Sequence, residues 1–513
     1  MKKSILIITV IAAAMMELID TSIVNVALSH MSGNLGATLE DTSWVITAYA
    51  IANIIIIPMT SFLTNKLGRR NYYIGSIIAF TFFSAMCGLS SNIWTLVAFR
   101  FLQGMGGGAL LSVSQAIVFE VYGKEKQGIA AALFGIGVFL GPTIGPTLGG
   151  FITENYSWPW IFYINIPIGI AVTVSSLLLI TEPAIKTKVQ SVDWWGILLL
   201  SVGVGSLQTV LERGETDDWF AANYIIVLTV LAILSIILFI WWELKTPHPV
   251  IDLRVLTSKT LSIAAILTFI TGFGLFTSVF LTPVVAQRVL NFPPTITGLM
   301  LLPGAILAIF GLMFSASLLK KGVSPLIIIT VGFVLFIIFN WQMSRMNLNS
   351  GPADIATSLI YRALGLALLT VPLTALAVSE LEAKDVPQGA ALNNMMRQLG
   401  GSFGIAIINT YVANRFGLHR SDLLANVNIY NAYFTERINK LTQYFLGRGN
   451  SIFDAQKKAI AVINSGVDRQ SFLLSYLDAY LFTGLLFLVA MPLLLLVIKR
   501  KKQSRPVVLV SDH

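Results

Sequence analysis

The stretch ILIITVIAAAMMELIDTSIVNVAL, residues 5–28, decides the fold. It is an unbroken apolar run longer than the about 20 residues a helix needs to cross a bilayer. Met1-Lys2-Lys3 and the small residues Ala12, Ala13 and Ala14 mimic a secretory signal peptide, but the run continues through Asp20 to Leu28, so it reads as an uncleaved first helix. Two carboxylates sit inside it. A charge at the bilayer centre costs about 2.5 to 3.5 kcal/mol, so Glu17 and Asp20 must face a partner or a wet cavity. They lie one turn apart, and Thr21 and Asn25 continue the same helical stripe. Burial and a like-charged neighbour both disfavour the ionised form of a carboxylate, which is how a proton carrier is made. The competing reading is an acid permanently paired with an internal arginine that locks helices together.

Working outward, runs of spanning length recur at about 43–63, 73–90, 94–119, 128–151, 160–181, 194–211, 223–242, 261–286, 296–319, 324–343, 355–378, 388–413 and 473–498, giving fourteen in all. The 513-residue chain is 55% hydrophobic and 12% charged, with a mean hydropathy of +0.78. A soluble chain carries about a quarter charged residues, so this is a polytopic all-α integral membrane bundle. An even number of spans puts both termini on one side. With that side cytoplasmic, twenty of the 34 Lys and Arg fall inside: Lys2, Lys3, Lys66, Arg69, Arg70, Lys124, Lys126, Lys186, Lys188, Lys245, Arg254, Lys259, Lys320, Lys321, Lys384, Lys499, Arg500, Lys501, Lys502 and Arg505. The short outer loops hold only Arg213, Arg288 and Arg345, as the positive-inside rule requires. The net charge of +9 therefore reports orientation in a lipid bilayer, not a nucleic-acid partner.

A single cysteine, Cys87, rules out an internal disulfide and a multi-cysteine metal site, and His30, His248, His419 and His513 all fall between apolar runs or at the terminus. No GxxxxGK[ST] phosphate loop is present, and no nucleophile, His or carboxylate constellation suits a membrane enzyme, so no catalytic residues, metal or cofactor are expected. Energy would come from the proton gradient, with no ATP site.

Arg100 opens the fourth span as Arg100-Phe101-Leu102-Gln103-Gly104-Met105-Gly106-Gly107-Gly108. A guanidinium keeps its charge at working pH, so Arg100 either pairs with a switching acid or snorkels to an interface. Arg362 and Arg397 pose the same question in spans twelve and thirteen, with Asp478 as a candidate acid for either or as an interfacial residue. In the fifth span Gly137, Gly141, Gly145 and Gly149 fall four apart beside Pro142 and Pro146, a face that admits another backbone and a helix that can bend. Arg362-Ala363-Leu364-Gly365 echoes Arg100 to Gly104, and Gly400, Gly401 and Gly404 echo the fifth span, at an offset of eight helices. That predicts two pseudo-symmetric six-helix bundles, 1–185 and 251–513, with an inserted pair, spans seven and eight, at 186–250. The only long loop, 414–471, is polar, extracytoplasmic and contains helix-like stretches such as Asp454 to Val462; it is a docking surface or a solvated cap.

At these residues the sequence resembles the major facilitator superfamily, and within it the fourteen-helix drug:proton antiporters. Leu18 to Leu28 is similar to that subfamily's first-helix signature, Arg100 to Gly108 to the fourth-helix motif linked to proton transfer, and Gly137 to Gly150 to the fifth-helix antiporter motif. Trp158 to Gly169 resembles the sixth-helix entrance. Gly205-Ser206-Leu207-Gln208, Leu211-Glu212-Arg213-Gly214, Asp218-Trp219-Phe220 and the long outer loop are most similar to EmrB-type multidrug efflux pumps. The motif between helices two and three departs from the family: Ser61 and Asn65 stand where glycine and an acid are usual, while Gly68, Arg69 and Arg70 remain to form a gate.

The resemblance implies export of hydrophobic or amphipathic toxic compounds against protons across a cell inner membrane. Asp20 would carry the proton and Arg100 tune it; Glu17 as a second carrier rests on the residues alone. The cavity is expected to be lined by Asn25, Tyr49, Asn53, Gln103, Asn394 and Arg397, and to rock about Gly68, Arg69, Arg70, Gly137, Gly141, Pro142, Gly145 and Gly149. EmrB-type pumps work with a periplasmic adaptor of the EmrA kind and an outer-membrane channel of the TolC kind, whereas relatives of the QacA type act alone. A proton-coupled uptake symporter is the rival within transport.

Overall fold

The computed structural model describes residues 2–123, 127–181, 193–247, 249, 251–381, 386–425, 427–428 and 430–494. Lys124, Lys126, Lys186, Lys188, Lys384, Lys499, Arg500, Lys501, Lys502, Arg505, His248, His513 and the junction at 185–186 lie outside the described residues. Among those described, the regular secondary structure is entirely helical. In chain order it runs α1 (Lys2–Leu35), α2 (Leu39–Leu67), α3 (Arg69–Gly88), α4 (Ile93–Tyr122), α5 (Gln127–Asn155), the single turn α6 (Trp160–Tyr163), α7 (Asn165–Leu179), α8 (Trp194–Arg213) and α9 (Asn223–Lys245). Then follow α10 (Lys259–Val284), α11 (Pro294–Lys320), α12 (Pro325–Met343), α13 (Pro352–Val378), α14 (Val386–Leu424), α15 (Ala432–Leu446) and α16 (Ile452–Ala490).

Side-chain caps fix several starts. The oxygens of Thr38, Asn92, Ser258 and Ser451 accept from backbone N–H groups three residues on, satisfying donors that a helix start otherwise leaves unpaired. Proline opens α11, α12 and α13, where its missing N–H costs nothing. Gly68, with φ of +84°, turns the chain from α2 directly into α3, a conformation a side chain would strain. Eleven helical stretches among the described residues are long and apolar enough to cross a membrane: α1, α4, α5, α6 with α7, α8 to α13, and α16. In α2 the qualifying apolar stretch is shorter, Asp41–Ile57.

The packing has two centres. α1 lies against α5, α4 and α7, with α2 and α3 on α4; α10 lies against α14 and α13, with α12 on α13 and α16. α8 and α9 pair with each other, and α8 also reaches α2 and α14. Between the centres, α5 packs on α11 along its length, with Gly135 against Leu312 at one end and Gly298 against Thr147 at the other.

The four-residue glycine ladder of α5 faces α1. A Cβ at Gly141 would meet Leu18 Cβ at 2.6 Å, and one at Gly149 would meet the Ile23 carbonyl at 2.9 Å, so only glycine allows this approach. Gly137 and Gly145 face Met15 and Ser22 in the same row, and Pro142 and Pro146 stay inside the helix. Gly400, Gly401 and Gly404 of α14 do the same against Phe269, Phe276 and Phe273 of α10.

The segment 414–471 holds the helix-like stretch Asp454 to Val462 that the sequence marked, inside α16, but it is helical over far more of its length than a long loop would be. α14 continues to Leu424, α16 begins at Ile452, and the amphipathic α15 packs on α16, leaving only short connections. Cross-helix pairs hold this polar extension in register: Arg415 Nε donates to Asp478 Oδ2 at 2.5 Å, Arg420 Nε to Asp468 Oδ1 at 2.7 Å, and Phe416 stacks on Phe472 at 4.1 Å. Polar composition ended the apolar runs, but the helices themselves do not end there.

Candidate proton and substrate site

Asp20 is wholly buried near the middle of α1, and Arg100 of α4 is 1% exposed beside it. Arg100 Nη1 donates to Asp20 Oδ2 at 2.5 Å and to Gln103 Oε1 at 2.9 Å, while Nε donates to the Val45 carbonyl of α2 at 3.2 Å. Asp20 Oδ1 accepts from Gln103 Nε2 at 3.0 Å and from Asn165 Nδ2 of α7 at 2.8 Å. Asn165 also donates to Ser84 Oγ at 3.0 Å, and Ser84 donates to the Phe162 carbonyl at 2.9 Å, which ties α3 and α6 to the same acid. The guanidinium lies over the Tyr49 ring at 4.1 Å and the Phe162 ring at 5.6 Å. Arg100 thus pairs rather than snorkels. Removing one member of such a buried pair costs about 3 to 5 kcal/mol, because the other charge is left uncompensated.

The glycines of α4 explain how so many helices reach one point. A Cβ at Gly104 would meet the Tyr49 carbonyl at 2.6 Å, one at Gly106 the Phe80 nitrogen at 2.7 Å, and one at Gly107 the Tyr49 hydroxyl at 2.5 Å. Each glycine therefore seats a neighbouring helix. Gln103 and Tyr49, expected on a cavity wall, are buried parts of the acid's cage.

Glu17, one turn earlier, is 2% exposed. Asn53 Nδ2 donates to its Oε1 at 2.7 Å, and its Oε2 is buried with no hydrogen-bond partner among the described residues. The two acids are therefore solvated by protein very differently: Asp20 accepts from three side chains, Glu17 from one amide. Asn25 is exposed and donates to the Ser22 carbonyl of its own helix at 3.4 Å, so the structure does not bring it to these acids.

Across the interface between the packing centres, Asn394 Nδ2 of α14 donates to Gln115 Oε1 of α4 at 2.9 Å, and Arg397 Nη2 donates to Asn394 Oδ1 at 2.6 Å. Arg397 lines a cavity of about 10 Å³ with Gln115, Phe119, Phe134, Gly135, Thr370, Val371 and Thr374. That is about the space of one water, so this closed arrangement holds no drug-sized molecule at that point. Arg362 donates to the Ser278 carbonyl at 3.4 Å and lies 6.0 Å from the Phe339 ring. Asp478 pairs with neither Arg362 nor Arg397; it is held by Arg415 and by His419 at 2.8 Å, because α16 places it beside the polar extension of α14.

At the far end of α4, Arg69 forms an ion pair with Glu120, and Arg70 Nη2 donates to the Leu177 carbonyl of α7 at 2.9 Å. The two arginines after Gly68 therefore clip α3 to α4 and to α7. Asn165, Gln115 and Glu120 were not singled out from the sequence. Asn165 lay within the quoted sixth-helix motif, but nothing local marks which carboxylate an asparagine serves.

Comparison with known proteins agrees with this geometry. Residues 10–405 match the family model of the Major Facilitator Superfamily. The chain is 32% identical to the multidrug export protein EmrB of Escherichia coli K12, over 95% of this chain and 94% of that protein. It is 30% identical to the fatty acid resistance protein FarB of Neisseria gonorrhoeae, covering 94% and 93%. Among solved structures, the human organic anion transporter MFSD10 superposes with a TM-score of 0.60 over 96% of this chain and 99% of its own, at 12% identity. The chain is a multi-pass membrane protein of the multidrug-efflux type and belongs to the major facilitator superfamily.

Proposed function

We propose that this protein is a proton-coupled multidrug antiporter of the cell inner membrane, with fourteen spans, cytoplasmic termini and two six-helix halves that rock about a central cavity. The observation that carries the reading is Asp20, an acid with no exposure held by Arg100, Gln103 and Asn165 from two other helices. A proton from outside neutralises Asp20, releases Arg100, and lets the halves return inward; drug loading favours loss of the proton to the cytoplasm. Each charge that crosses contributes about 2.3 kcal/mol per 100 mV, with no nucleotide or other cofactor. The glycine seam between α1 and α5 and the clips at Arg69 and Arg70 are the moving joints. Hydrophobic and amphipathic compounds, fatty acids among them, are the proposed substrates, as the name of FarB suggests.

The helical extension formed by α14, α15 and α16 is proposed to meet a periplasmic adaptor of the EmrA kind that leads to a TolC-like channel. Inverted membrane vesicles with an acidic interior test the central reading. Adding lipophilic cations one at a time should collapse the pH gradient with the intact protein and not with Asp20→Asn. Equal responses from both forms would refute proton coupling through Asp20.

A further inference from the structure

Arg397 of α14 is a cation left without an acid where the two packing centres meet. It lines a cavity of about 10 Å³ whose walls come from α4 and α5 on one side and from α13 and α14 on the other. Among the described residues no carboxylate stands in that lining, and Arg397 has none within ion-pair distance. The polar groups there are wired in one direction. A guanidinium only donates, so Arg397 Nη2 turns the Asn394 oxygen toward itself at 2.6 Å, and the Asn394 amide nitrogen then donates to Gln115 Oε1 at 2.9 Å. Both amide oxygens are thereby engaged. Arg397 Nε and Nη1 and Gln115 Nε2 remain without a partner among the described residues, and all three are N–H donors. Thr370 and Thr374 give their hydroxyl hydrogens to carbonyls of α13 at 2.8 Å each, and a hydroxyl can turn its hydrogen to a ligand. Phe119 and Phe134 supply the apolar side of the same cavity.

We infer that Arg397 and Gln115 form an anion-selecting subsite for the carboxylate or sulfonate head of an amphipathic substrate, whose apolar body lies against Phe119 and Phe134; the inference rests on the reading that substrate is enclosed between the two halves. Arg100 offers no such seat, because Asp20 already holds it at 2.5 Å. A guanidinium presents paired N–H groups that match two oxygens of one head group, and a cavity with spare donors and no acid favours a head that only accepts. In the closed arrangement the space takes about one water. Because its walls belong to different packing centres, parting of the halves widens it enough to admit the head. A lipophilic cation gains nothing from Arg397 and is repelled by its like charge, so this residue reads the charge of a substrate and not its shape.

The test is a binding measurement that needs neither proton flux nor transport. The full chain in lipid nanodiscs is titrated calorimetrically with three probes that share one apolar body, naphthalene-2-sulfonate, naphthalene-2-sulfonamide and 2-naphthyltrimethylammonium, and the heats of empty nanodiscs are subtracted. The parent should bind the sulfonate at least about tenfold more tightly than the neutral sulfonamide, the ratio expected of hydrogen bonds to a charged group. Arg397→Gln should remove that advantage and leave the affinity for the trimethylammonium probe within about twofold. Gln115→Glu, which keeps the arginine and supplies a built-in anion beside it, should remove the advantage as well. Arg397→Lys keeps the charge and should retain most of the preference, and together with Gln115→Glu it serves if Arg397→Gln fails to reach the membrane. No sulfonate preference in the parent, a preference that survives in Arg397→Gln or Gln115→Glu, or an equal loss of all three probes in Arg397→Gln overturns the inference. Failure of lipophilic cations to collapse the pH gradient in the vesicle assay, with this selectivity intact, would instead refute the antiport reading alone.

Discussion

Adding one methyl group at Gly145 should weaken the protein, while the same addition at Gly33 should not. At Gly145 a Cβ would overlap the Ser22 hydroxyl and come within 3.0 Å of the Ile19 carbonyl of α1. The hydroxyl is itself engaged, donating to the Leu18 carbonyl at 3.0 Å and the Ile19 carbonyl at 3.1 Å, so it cannot rotate away freely. The carbonyl belongs to a helix backbone, and relief requires α1 and α5 to separate. Overpacking of this kind costs about 1 to 3 kcal/mol. Gly33, in the same α1, has nothing within 4 Å of a built Cβ, and alanine there should stabilise by about 0.4 to 1 kcal/mol through the unfolded chain. The assay is the rate of thermal inactivation of the two purified variants in detergent, against the parent. Gly145→Ala should inactivate faster and Gly33→Ala no faster. Equal rates for the two would refute the claim that the four-residue ladder is a backbone contact surface.

Other expectations follow from the same geometry. Tyr49→Phe keeps the ring beneath Arg100 and should leave transport within about twofold, whereas Tyr49→Leu removes a cation–π contact of about 2 kcal/mol and should slow drug-driven proton movement in the vesicle assay. Asp478→Asn removes the negative charge shared by Arg415 and His419 and should raise amide hydrogen exchange in the extended ends of α14 and α16 before it alters exchange around Asp20. The Lys440 ammonium beside Glu436 holds that carboxyl below its ordinary range, so the contribution of this exposed pair to α15 is present at neutral pH and lost as pH falls through the lowered value. Exchange in α15 should therefore rise selectively on acidification, and Glu436→Gln should remove that pH dependence.

The sequence made the membrane bundle legible because burying a polar backbone in lipid requires helices, and long apolar runs have no other use. The Asp20–Arg100 pair was legible for a related reason: each is too costly in an apolar run to stand alone. What pairs with what was less visible. Asp478 reads in the sequence as an acid for Arg362 or Arg397 or as an interfacial residue, and only the register between α14 and α16 gives it to Arg415. Gln103 has the same polarity on a cavity wall as in a cage, so its hydrogen bond to Asp20 follows from the rotation of α4, which the glycines set. Within 414–471 the sequence marked the helix-like stretch Asp454 to Val462 but not the continuity of α14 and α16 through the segment, because apolar runs mark where lipid ends, not where a helix does.

The central claim, that protons and drug exchange through Asp20, is tested most directly with no proton gradient imposed. Purified protein in sealed proteoliposomes, preloaded with a fluorescent lipophilic cation, is diluted into cation-free buffer, and the internal pH is recorded as the cation leaves down its gradient. Antiport predicts that the lumen acidifies as the cation exits with the parent protein, and that Asp20→Asn shows no coupled acidification. Alkalinisation of the lumen, or acidification of equal size in Asp20→Asn, would contradict the account.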